Sequence, residues 1–184
     1  MDINRYPNEP LELVDLKIGQ SSVKSGIRLK FKIPSSQDSF DNVKFNESDN
    51  WFRNVKIKLR NISGRPIYGL MVDLYFKPSS LRLFYGIPVT LAQTRNLQQH
   101  PIKPGEEIDL QVSDEFYNPM VARMRQDGVE PNEANVGLSV NWVLFADDLA
   151  WRRGAFMRPD PNAPTSWHDV DKESIPPIRS AYGV

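Results

Sequence analysis

The most regular hydrophobic pattern in the chain runs from Asn54 to Lys77, NVKIKLRNISGRPIYGLMVDLYFK. Val55, Ile57 and Leu59 alternate with Lys56, Lys58 and Arg60, and a period of two puts the sets on opposite faces of a strand. After a polar stretch, Tyr68, Leu70, Val72, Leu74 and Phe76 share one side. Gly69, Asp73 and Tyr75 take the other, and Met71 breaks the polarity, a pattern that suits a mostly covered central strand. Between the two, Asn61 to Pro66 offers Gly64 for positive φ and Pro66 for fixed φ. The pair is therefore expected to form a hairpin at the centre of the domain.

The same reading extends along the chain. Residues 1–10 are polar with two prolines and read as an extended N-terminal arm. Leu11 to Ile18 reads as a first strand, and Ser25 to Ile33 as a second, ended by Pro34. Ser35 to Asn50 has the composition of a long surface loop. Leu81 to Leu91 is a strand region interrupted by Gly86 and Pro88, hence an edge strand or a bulge. Ile108, Leu110 and Val112 form a short amphipathic strand. A helix is expected from the N-cap Ser113, with Asp114 and Glu115 in its first turn. Its apolar residues are Phe116, Met120, Val121 and Met124, Pro119 falls inside it, and Gly128 stops it. In Val136 to Phe145, the residues Val136, Leu138, Val140, Trp142 and Leu144 fall on one side, which makes Trp142 a core residue. Asp147-Asp148 then reads as a tight turn into Leu149 to Met157, because Asp tolerates left-handed geometry. From Arg158 to Val184 the period is lost and five of the 15 prolines occur, the mark of an arm pinned by single anchors such as Trp167.

These readings divide the chain into an N-terminal arm (1–10), a β-sandwich domain (11–157) and a proline-rich C-terminal arm (158–184). The fold class is all-β: an antiparallel Ig-like β-sandwich with one short helix. At 184 residues the chain is long enough to bury a core as one domain.

Charge and composition remove several function classes. Lys plus Arg and Asp plus Glu balance at 23 each, so the field that draws a protein to nucleic acid is missing. With no cysteine there are no disulfides, thiolate nucleophiles or Cys-based zinc sites. No stretch approaches the roughly 18 apolar residues of a membrane helix, and MDINRYPNEP lacks the basic and apolar regions of a secretion signal. Glycine-rich phosphate loops and nucleotide fingerprints are absent, so no cofactor is expected. Two N-x-S sequences occur, at Asn46 and Asn61.

Several clusters invite a chemical reading. Ser166, His168, Asp169 and Asp171 have the residue types of a hydrolase but lie in a proline-rich segment, without the rigid support and oxyanion hole that a triad needs; no enzyme is expected. Asp147, Asp148, Asp169 and Asp171 could ring a calcium ion, which takes six to eight oxygens, although paired acids at a turn more often simply form it. Trp51, Trp142, Trp151 and Trp167 could stack on sugars, and Trp151 could instead lie under the guanidinium of Arg152 or Arg153. Lys24, Arg28, Lys30 and Lys32, with Lys56, Lys58 and Arg60, could make one basic sheet face, though a solvated face opposite the core accounts for them more simply.

The order of six motifs resembles a group of bacterial proteins, common in acidobacteria, that carry one Ig-like or fibronectin-like sandwich. They are Asp49-Asn50-Trp51-Phe52-Arg53, Asn61-Ile-Ser-Gly-Arg-Pro-Ile67, Lys103-Pro-Gly-Glu106, Ser113-Asp-Glu-Phe-Tyr117, Phe145-Ala-Asp-Asp-Leu-Ala-Trp151 and Arg158-Pro-Asp-Pro-Asn-Ala-Pro-Thr-Ser-Trp167. Asp148 stands where that group has glycine. The resemblance implies a periplasmic or extracellular setting and, by itself, does not point to any activity. The function expected is that of a non-enzymatic interaction or accessory subunit, gripping a partner protein through loops and arms that carry Trp51, Trp151, Arg152, Arg153, Pro161, Pro164 and Trp167. The alternative is an exported carbohydrate-binding or enzyme-accessory module that uses Trp51 or Trp151.

Overall fold

Alternation becomes burial in the strand Val55–Asn61, where Val55, Ile57 and Leu59 are buried while Lys56 is exposed and Lys58 and Arg60 are half-buried. The computed structural model describes residues 2–4, 6, 8–18, 21–22, 51–77, 87–90, 92–93, 96–112, 114–126, 135–146 and 148–170. Its strands are β1 (Asp2–Asn4), β2 (Leu11–Ile18), β3 (Ser21–Ser22), β4 (Val55–Asn61), β5 (Ile67–Lys77), β6 (Ile87–Thr90), β7 (Ala92–Gln93), β8 (Glu107–Gln111), β9 (Asn135–Phe145), β10 (Ala150–Arg152), β11 (Ala155–Asp160) and β12 (Ala163–Asp169). The helix described is α1 (Asp114–Gln126). One sheet runs β3-β2-β4-β8-β7; the other runs β12-β11-β10-β9-β5-β6, with β1 added alongside β9. Their inner faces share one core in which Leu13, Ile57, Leu59 and Leu110 of the first sheet join Leu70, Val72, Leu74, Val140 and Val143 of the second. The expected antiparallel β-sandwich with a short helix is what the chain forms. The predicted strand Ser25 to Ile33 and the loop Ser35 to Asn50 lie outside the described residues, as do residues 171–184.

The central pair of strands is not a hairpin. β4 pairs with β2 and β8, whereas β5 pairs with β6 and β9, so Asn61 to Pro66 carries the chain from one sheet to the other. The reason lies in Asn61, whose side chain is fully buried. Its amide donates to the carbonyls of Arg65 at 2.8 Å and Ile102 at 2.9 Å, and its Oδ1 accepts from the Ser63 amide at 2.9 Å and the Ser63 hydroxyl at 2.6 Å. Its backbone carbonyl accepts from Gly105, at φ 80° in the Lys103–Glu106 turn. The corner is thus tied to a second loop instead of closing a ladder on itself. An asparagine so engaged cannot accept a glycan in the folded chain, and Asn46 lies outside the described residues.

Bulges decide which residues reach the core. In β9 the register shifts between the pairs Met71↔Trp142 and Val72↔Val140, leaving Asn141 as the extra residue. Beyond it the inward set changes parity: Leu138 and Val140 are buried before the bulge, Val143 and Phe145 after it. Trp142 and Leu144, predicted to face the core, are turned to the outer face and half-buried. A second shift, at Leu13/Asp15 in β2, sets Leu16 inward with Leu11 and Leu13.

The C-terminal segment also departs from expectation. Residues 155–169 form the hairpin β11–β12, turning through Pro161-Asn162, where the Asn162 amide is held by Asp160 Oδ1 at 2.8 Å. The predicted strand from Leu149 to Met157 is in fact two strands, separated by Arg153 and Gly154 at φ 46° and 98°. Two successive positive φ values are the signature of the turn that best matches strand twist. The left-handed geometry expected of the Asp pair is present at Asp148, with φ 53°. At the other end, β1 lies parallel to β9, so the N-terminal arm packs on the sandwich itself. In α1, Tyr117 and Met124 are buried and Met120 and Val121 half-buried, a stripe at helical spacing. Pro119 sits inside the helix, as expected.

Lys58 and Arg60 of β4 are set among acids, whereas Lys56 lies between Lys17 and Gln111. Arg60 is flanked across the strands by Glu12 and Glu107, and Lys58 by Asp15 and Asp109; Arg60 reaches Glu12 at 3.3 Å and Glu107 at 2.7 Å. Lys24, Arg28, Lys30 and Lys32 lie outside the described residues. Hydrogen bonding from the Arg60 guanidinium holds the Glu107 carboxyl below its ordinary value of 4.5. A depressed folded value stabilises the fold above the unfolded value and loses that contribution as pH falls through the folded one. Replacing Arg60 with Gln is expected to move the NMR titration midpoint of Glu107 upward and to weaken the acid dependence of stability. An unchanged midpoint would show that the pair carries no electrostatic coupling in solution.

Candidate functional site

The outer face of the larger sheet carries chemistry that the outer face of the smaller sheet does not. Register places Asn4 of β1, Ser139 of β9, Asp73 of β5 and Thr90 of β6 in one row across four strands. Asp73 is 2% exposed and Ser139 1%, a burial unusual for a carboxylate unless it is bonded. The Asn141 amide donates to Asp73 Oδ2, and Arg153 Nε donates to Asn141 Oδ1 at 2.7 Å. The bulge that turns Trp142 to the outer face therefore also aims Asn141 at Asp73, and the left-handed turn at Arg153 brings its guanidinium to Asn141. The Ser139 hydroxyl has no hydrogen-bond partner among the described residues.

Beside this polar chain lies an apolar patch. Trp142 meets Trp167 edge to face, with ring centroids 6.1 Å apart and planes at 89°. Two strands separate β9 from β12 in the sheet, and neighbouring strands are about 4.8 Å apart. The two side chains therefore lean towards each other across the outer face of β10 and β11. Gly69 lies beneath: a Cβ there would sit 3.1 Å from Leu144 Cβ and 3.2 Å from Trp142 Cζ3. Met71, the register partner of Trp142, is 41% exposed.

The predicted contact residues are dispersed. Trp151 is fully buried and meets Tyr6 edge to face at 6.2 Å; it is a core residue, not a surface one, because β10 turns it inward between Val143 and Phe156. That removes it from the partner surface, from the sugar platform and from stacking under Arg152 or Arg153. The cation–π contact present instead sets Arg53 over Tyr117 at 5.1 Å. Arg152 and Arg153 are exposed at the end of β10, and Pro161 is exposed in the turn before β12. Pro164 lies in β12, and Trp51 opens a 3₁₀ turn, Trp51–Asn54, ahead of β4. Trp167 is half-buried on Trp142, and the two perpendicular rings are not a coplanar stacking platform.

Ser166 and His168 are exposed on the edge strand β12, two residues apart and so on one face; His100 is exposed in a separate turn. Among the described residues no three His, Asp or Glu side chains gather where they could hold a metal ion; Asp147 and Asp171 lie outside them. No helix among the described residues is long and apolar enough to cross a membrane. Sequence reasoning passed over Asp73, Asn141 and Ser139. The one available signal was an acidic residue amid the hydrophobic run of β5. Comparison with family models, curated proteins and solved structures returned no match.

Proposed function

We propose that this chain is a non-enzymatic β-sandwich interaction subunit that holds a partner protein through its loops and the outer face of its larger sheet. The observation that carries the reading is Met71, the large hydrophobic side chain left exposed among the described residues. It sits across from Trp142 and the Trp142–Trp167 pair, with the exposed Arg152 and Arg153 at the end of β10. Met, Trp and Arg are the residue types enriched where protein surfaces meet. Of the segments expected to wrap a partner as arms, Asp2–Asn4 and the β11–β12 hairpin pair with the sandwich itself, and the sheet face beside them supports the contact proposed here.

A photo-crosslinking amino acid at position 71, compared with one at Lys56 on the opposite sheet, tests this in the source cells. A single protein should be captured at position 71 and not at 56. The purified partner should then bind Met71→Asp at least about tenfold more weakly, as expected when a central apolar contact is lost. Equal capture at both positions, or binding of Met71→Asp within about twofold of the parent, would overturn the reading.

A further inference from the structure

The larger sheet contains a slot that its own first strand fills. β9 is 11 residues long. β5 lines one of its sides from Asn135 to Phe145, but on the other side β10 pairs only with Val143 and Leu144. β1 occupies part of the remainder, with Asp2, Ile3 and Asn4 in register with Gly137, Leu138 and Ser139. This pairing is parallel, whereas every other described pair is antiparallel. A parallel pair cannot be closed by a tight turn. Along the chain β1 is followed by β2 of the other sheet, after a segment that holds Pro10 and Asn8, the latter at φ 54°.

We infer that the edge of β9 over Gly137 to Ser139 is a strand-acceptor site, and that it takes β1 of a second copy of this chain as well as its own. Among the described residues, three residues of ladder hold β1, and the next contact along the chain is Tyr6 on Trp151. Release of the strand disturbs no other strand pair among the described residues, and every ladder bond lost in one copy is regained when the strands cross. Exchange of an identical element is a low-cost route to a closed two-fold dimer, and short, conformationally restricted hinges favour it. Strand addition at an open edge needs main-chain groups alone. The inference deepens the interaction reading by naming one partner; should it fail, the Met71 face is untouched, and should that face fail, the slot remains.

Because the chain has no cysteine, disulfide trapping reports the exchange cleanly. Asn4 and Ser139 are register partners, and strands about 4.8 Å apart are within disulfide reach. In dilute solution the double variant N4C/S139C should cross-link within one chain. A mixture of the single variants N4C and S139C, incubated concentrated and then oxidised, should give a disulfide dimer containing one of each, increasing with protein concentration. Asp2→Cys with Gly137→Cys repeats the test one step along the ladder and covers misfolding of the first pair. A mixture that yields no more mixed dimer than N4C with K56C overturns the proposal. So does a double variant that cross-links neither within nor between chains, since β1 would then not occupy the slot at all.

Discussion

Replacing Trp151 with alanine is expected to cost about 3–5 kcal/mol of stability, the usual range for removing a buried tryptophan. The ring is fully buried against Tyr6, and its strand is paired on both sides, with β9 and β11. The cavity cannot collapse without moving two strand pairs. At about 2–4 °C per kcal/mol for a domain of this size, the midpoint of thermal unfolding should fall by at least about 6 °C. Trp151→Phe, which keeps an aromatic edge for Tyr6, should cost less. A Trp151→Ala variant that melts within about 2 °C of the parent would contradict the burial and return this residue to the surface.

The second large effect is expected at Asn61. Its side chain makes two donations and accepts two hydrogen bonds in a fully buried corner. At about 0.5–1.5 kcal/mol per bond, Asn61→Ala should cost about 2–4 kcal/mol, softened because the Ile102 carbonyl keeps the Ile67 amide as a partner. Asn61→Asp is the sharper test, since it conserves shape while replacing the donor with a second oxygen facing two carbonyls. An ionised carboxylate there is opposed by burial and by those dipoles, so its folded pKa lies above the unfolded value of about 3.9. The variant should therefore be closest to the parent in acid, and its deficit should grow as pH rises through the folded value. Chemical denaturation at several pH values reads this directly. A deficit independent of pH would show that the aspartate escapes the corner.

Much of the architecture was legible along the chain. Alternation in Val55–Arg60 and Glu107–Gln111 became strands with the expected faces, and Ser113 with its acidic successors preceded a helix starting at Asp114. The left-handed residue at the β9–β10 turn is an aspartate, as the Asp pair implied. The candidate site was much less legible. Asp73 reads as an ordinary outward residue until register sets it beside Ser139 and below Asn141. Trp142 reads as core until a single extra residue turns it around. Trp151 sits before two arginines, which looks like a surface context, yet the side chain points the other way.

The sequence by itself determined that there would be strands, roughly where they run, and which side chains would share a face within each uninterrupted stretch. These follow from the two-residue repeat of a pleated backbone, a local property. Tertiary structure alone decided which strands pair, that Asn61 marks a corner between sheets instead of a hairpin, and which tryptophan is interior. Those outcomes depend on hydrogen-bond partners far apart in sequence, Asn61 with Ile102 and Asp2 with Gly137. A bulge reverses every residue beyond it while leaving the composition unchanged.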